Sequence, residues 1–231
     1  MKMSMKQQAG FTLVEIAIVL VIIGLLLGGV LKGTELIENS KVKRAANEIN
    51  GITAAFYAYQ DRYQRLPGDD GNAASLNARG GNWAVTQGGN QNGVIVSAAG
   101  QTFTNTNGEH VGFWQHLRAA GFINGASNAA GVGALPVNAF GGLIGFTNDP
   151  IGNPASPISG RVLCMSQVPG KAAAALDVQL DDGIGTNNNN PGNTGRLRAI
   201  LGNAGANTPP APGAFAGPYL ETGVYTICIQ M

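Results

Sequence analysis

The sequence predicts an α+β fold: a long N-terminal α-helix, half transmembrane and half amphipathic, packed on a small antiparallel β-sheet domain with extra short helices and long Gly/Asn-rich loops. Three observations predict it. Gly10 to Leu31, GFTLVEIAIVLVIIGLLLGGVL, is an almost unbroken apolar run carrying a single acid, Glu15. Val42, Ala45, Ile49, Ile52, Phe56, Tyr59 and Tyr63 then recur at alternating spacings of three and four, which is a one-sided helical stripe. The rest of the chain is rich in Gly and Asn, with short apolar segments bounded by turn residues, the pattern of strands joined by loops.

Met1 to Gly10 is short, polar and basic, with Lys2 and Lys6. A secretory signal is cut after its apolar region, but here the small residues Ala9 and Gly10 come before it, so cleavage there keeps the apolar segment. Phe11 to Leu31 is 21 residues, against roughly 20 needed to span a bilayer as a helix. The mature chain is therefore expected to begin with its own membrane anchor, with the C-terminal body outside the inner membrane because the lysines stay cytoplasmic. A carboxylate within such a span costs on the order of 2.5–3.5 kcal/mol on insertion scales, so Glu15 is expected to have a function and a partner. Cleavage after Gly10 creates one, the ammonium of Phe11, one turn away in the same chain or supplied by a neighbouring copy. The alternative is a glutamate at the membrane edge that snorkels to water. Gly24 and Gly28 form a GxxxG pattern, which lets helices approach closely in lipid.

Lys6 to Gly24, KQQAGFTLVEIAIVLVIIG, resembles the start of a type IV pilin or pseudopilin precursor: a basic leader, Gly at the scissile position, Phe as the new N-terminus, Thr and Leu after it, and an acid four residues past the Phe. The resemblance implies cleavage between Gly10 and Phe11 by an inner-membrane prepilin peptidase, N-methylation of Phe11, and a role for Glu15 in assembly. Methylation keeps the amine's charge and so leaves the pairing available. On this basis residues 1–10 are a cleaved leader, 11–63 the N-terminal helix with its transmembrane part at 11–31, and 64–231 a C-terminal globular pilin-like domain.

The amphipathic stripe leaves Lys41, Lys43, Arg44, Glu48, Asp61 and Arg62 off its face. The helix is expected to run unbroken from Phe11 to Tyr63, roughly 80 Å at 1.5 Å per residue, until Leu66-Pro67-Gly68-Asp69-Asp70 stops it. Asn72 to Thr106 is expected to be a long connecting loop with one short strand around Val94–Val96. Glu109 to Ala120 is expected to be a helix laying Phe113, Trp114 and Leu117 on the core, with Asn107 as its cap and Gly121 as its stop. Its histidines, His110 and His116, fall on different faces with no Ser or Cys motif nearby, so both are expected at the surface. Short strands are expected at Gly142–Thr147, Arg161–Gln167 and Gly223–Gln230, with a helix at Ala172–Leu180.

Formal charge is +1 from 14 basic and 13 acidic side chains, which makes no electrostatic case for specific nucleic-acid binding. The sequence holds neither GxSxG nor HExxH, so an enzyme is not expected. Cys164 and Cys228 are the only cysteines and lack metal-ligand spacing, so a single disulfide in an oxidising compartment is expected, clasping the last strand to the body. Asp69 and Asp70, and Asp181 and Asp182, are paired acids in Gly/Asn loops of the kind calcium uses, and a helix C-cap or a solvated turn explains Asp181 and Asp182 equally well. No other cofactor is expected.

The expected function is that of a structural subunit of a type IV pilus or pseudopilus, in a periplasmic or extracellular filament. The alternative is an inner-membrane-anchored adhesin or receptor that forms no filament. Expected partners are other pilin or pseudopilin subunits, the prepilin peptidase, the inner-membrane assembly platform and membrane lipid.

Overall fold

The computed structural model describes residues 12–104, 107–130, 132–152, 154, 157–181, 183, 195–211 and 219–231. Two compact units divide the chain, Met1–Ser40 and Lys41–Met231, and the boundary falls inside the first helix, α1 (Leu13–Tyr63). In the first unit the described chain is helical from Leu13 on, with side chains exposed along the apolar run. Gly24, Gly28, Gly29 and Gly33 are all accommodated in this helix, and a Cβ added at any of them would meet nothing within 4 Å.

In the second unit α1 buries Val42, Ala45, Ala46, Ile49, Ile52, Ala55, Phe56 and Tyr59, the stripe expected from spacing. Glu48, on the edge of that stripe, accepts bonds from Arg44 Nε at 2.8 Å and from the Ala139 backbone N–H at 3.2 Å. The helix ends as Gln64 turns into the left-handed region at φ 55°. Gly68 then makes the sharp turn at φ +94°, where a Cβ would come within 2.5 Å of Glu109 O. Only glycine suits that approach.

Helix α2 (Ala73–Asn77) occupies part of the stretch expected to be loop, and Asn72 caps it by accepting from Ser75 N at 2.9 Å. The strand expected at Val94–Val96 does not form. Two of its backbone donors bond to side chains instead of a neighbouring strand, Val94 N to Asn92 Oδ1 and Val96 N to Glu109 Oε2, which competes with ladder formation. Helix α3 (Glu109–Ala119) starts from Gly108 rather than Asn107, whose side chain is engaged by Gln87 Nε2. The α3 ring of Phe113 stacks between Phe56 of α1 at 6.2 Å and Phe146 at 4.7 Å, joining helix and sheet in one core.

Strands β1 (Ile144–Thr147), β2 (Val162–Pro169), β3 (Leu197–Leu201) and β4 (Val224–Gln230) form one antiparallel sheet in the order β1-β2-β4-β3. Helix α4 (Gly170–Leu180) follows directly on β2. β3 was not expected from the sequence. β2 and β4 slip register between Met165 and Val168, where Gln167 takes φ 60°, the left-handed conformation that the G1 type of β-bulge uses.

Candidate functional site

At the start of α1, Thr12 and Glu15 exchange three hydrogen bonds. The Glu15 backbone N–H donates to Thr12 Oγ1 at 3.2 Å, while the Thr12 N–H and hydroxyl both donate to Glu15 Oε2 at 2.8 Å. This is a capping box, which satisfies orphan donors of the first turn and places a carboxylate at the positive end of the helix dipole. The signal, T-x-x-E ahead of an apolar run, stands in the sequence at 12–15. Gly10 and Phe11, the expected cleavage and methylation positions, lie outside the described residues, as do Lys2 and Lys6.

Beyond the cap the helix presents apolar side chains on every side. Leu13 is 91% exposed and Leu25 73%, and no residue of the most apolar 18-residue window is buried. An exposed apolar surface on this scale calls for lipid or other apolar helices to cover it. Among the described residues nothing lies within 4 Å of where a Cβ on Gly24, Gly28 or Gly29 would sit, so no packing among those residues calls for glycine there. Just past the run, Lys32 Nζ and Glu35 Oε2 form an exposed i,i+3 ion pair at 2.7 Å.

Cys164 and Cys228 are disulfide-bonded, directly opposite each other across β2 and β4, and fully buried. Asp181 acts as a tether: its Oδ2 accepts from Leu197 N at 2.7 Å, while its own N–H donates to Asp177 O as α4 ends. Asp182 lies outside the described residues. Among the described residues no group of three or more His, Cys, Asp and Glu side chains is gathered to hold a metal ion.

Asp69, Asp70 and the two histidines are buried. Asp69 accepts backbone N–H bonds from Asn90, Gln91 and Gly93. Asp70 accepts from Tyr59 Oη at 2.6 Å and from Arg79 Nη1 at 2.7 Å, and the Arg79 guanidinium lies over the rings of Tyr63 and Trp83 at 5.0 and 4.7 Å. The expectation of surface histidines is corrected for both. His116 Nδ1 accepts from Gly68 N at 2.8 Å, so Nε2 carries the proton and donates to Gln87 O at 3.0 Å. Burial pushes its pKa down to about 4, against the smaller opposing effect of the Gln87 bond. Burial also lowers the pKa of His110. Both rings are drawn in because α3 is buried all round, not on one face as its apolar spacing implied. This polar hub braces the loops around the C-terminal end of α1.

Comparison with known families matches residues 5–31 to the prokaryotic N-terminal methylation motif. That motif is the signature of type IV pilins and pseudopilins, and with the exposed apolar helix it marks the N-terminal segment as a membrane anchor. No curated protein and no solved structure matches the chain.

Proposed function

We propose that the chain is a structural subunit of a type IV pilus or pseudopilus filament. The observation that carries this reading is the methylation motif at residues 5–31, reaching into a helix whose apolar side chains are exposed and whose glycines have no packing neighbour among the described residues. Prepilin peptidase cuts between Gly10 and Phe11, and Phe11 becomes the methylated N-terminus. The subunit waits in the inner membrane as a single-pass protein with its body outside the cytoplasm. An assembly platform then moves it out of lipid into a filament, where neighbouring α1 helices replace the acyl chains. The exchange is feasible because lipid and helix surfaces are similarly apolar, so close packing decides association. The reading assigns the chain no catalysis.

The test is to replace Gly10 with a bulky residue and to shear the cells. Unprocessed precursor is expected in the inner membrane, with no subunit in the sheared fibre fraction, whereas the wild type is expected there in stoichiometric amounts. Normal processing of the variant refutes the assigned cleavage site. Wild-type chain that is processed yet never found in sheared fibres favours the anchored adhesin or receptor.

A further inference from the structure

We propose that a cavity beside the C-terminal end of α3 binds a small hydroxylated carboxylate, with Arg118 as the anion-binding group. Arg118 is only 7% exposed, yet no carboxylate lies within ion-pair distance of it among the described residues. Its Nε donates one long bond, 3.4 Å, to Asn124 O, and its Nη1 is buried with no acceptor. Arg79 makes the contrast, with the Asp70 carboxylate at 2.7 Å. A buried cation without a counter-charge is strongly unfavourable until an anion completes it, and desolvation accordingly lowers the pKa of Arg118.

Capping of α3 does not account for this guanidinium. Three carbonyls of the last turn are already taken: His116 O by Ala120 N at 2.9 Å, Leu117 O by Phe122 N at 3.0 Å, and Arg118 O by Gly121 N at 3.0 Å. The segment after the helix is shaped around the side chain instead. Gly125 sits at φ +125°, and a Cβ there would meet Arg118 Nε at 2.7 Å.

Arg118 shares a cavity of about 330 Å³ with Asn82, Ala84, Ser127 and Asn128. Asn82, Ala84 and Asn128 are exposed, so the cavity is entered from solvent. A single arginine with no second cation favours a monoanion, and its planar fork matches a carboxylate. Ser127 Oγ already donates to Asn82 O at 2.6 Å and so is left to accept; with the amides of Asn82 and Asn128 it favours hydroxyls on the rest of the ligand. The volume holds roughly eleven waters at about 30 Å³ each, the size of one sugar acid.

The test titrates the full chain in detergent micelles, ¹⁵N-labelled, with sodium glucuronate, using glucose and sodium chloride at matched ionic strength as controls. A saturable shift of the Arg118 Nε–H resonance is expected with glucuronate and none with glucose. Arg118→Lys keeps the charge but loses the fork, and is expected to weaken binding about tenfold. Ala84→Tyr fills the cavity from its exposed rim and is expected to weaken binding as much. If Arg118→Lys loses the native near-ultraviolet circular dichroism, Ala84→Tyr alone decides. No saturable binding by the folded wild type, equal binding of glucose, or undiminished binding by folded Ala84→Tyr overturns the proposal.

Discussion

The Glu15 carboxylate accepts both donors of Thr12, which separates two roles that deletion alone would confuse. Glutamine at this position still serves a capping box, whereas only a carboxylate attracts the ammonium of a processed Phe11. If the charge serves assembly, Glu15→Gln and Glu15→Ala should both lose most sheared-fibre yield, while Thr12→Ala should cost only a cap worth about 1 kcal/mol. Membrane levels of all three should match the wild type, and full fibre yield from Glu15→Gln would leave Glu15 as a cap and nothing more. His116 offers a second prediction at this scale. Unfolded, its ring titrates near 6.5; folded, near 4. Above pH 6.5 the ring is neutral in both states and makes no difference to pH dependence. Between pH 6.5 and 4 only the unfolded chain gains the proton, so acidification removes stability, about 3 kcal/mol in total for this group. Urea midpoints measured from pH 7.5 to 4 should fall more steeply for the wild type than for His116→Gln. His116→Gln should also be less stable at pH 7.5 by about 1–3 kcal/mol, because the buried Gly68 N–H loses its acceptor.

Among the elements, β2 and β4 carry the disulfide at a register pair in the middle of the sheet. Opening a crosslink between residues 64 apart should cost roughly 4 kcal/mol on chain-entropy arguments. The double substitution Cys164→Ser and Cys228→Ser should lower the urea midpoint accordingly without changing N-terminal processing. In α1, Gly28→Leu adds a side chain where nothing lies within 4 Å, and leucine exceeds glycine in helix propensity by a little under 1 kcal/mol. Abundance in the membrane should therefore hold while fibre yield drops, because close helix approach is lost; undiminished fibres would remove Gly28 from the packing between helices. The elements that spacing could reveal were legible: α1 to Tyr63, α3, α4, and the strands carrying Cys164 and Cys228. β3 was not, because Leu197–Leu201 is short and follows the Gly/Asn-rich stretch at 185–195. The capping box was written in Thr12 and Glu15 but obscured by the charge argument for Glu15. The buried polar hub had no local signal at all: Asp70 finds Tyr59 and Arg79, and Gly68 finds His116 48 residues on, partnerships that only the folded chain creates.

For the molecule as a whole, the sheet order determines when the body can exist. β4 follows both of its neighbours in the chain yet lies between them, pairing with β2 on one side and β3 on the other. While Val224–Gln230 is still being synthesised or drawn through a translocon, β3 has no strand to join and β2 has only β1. Cys164 likewise waits for Cys228. On the proposed orientation, with the leader held in the cytoplasm, β1 would cross ahead of β4, so the sheet would close and the sulfurs meet only once the last strand had followed.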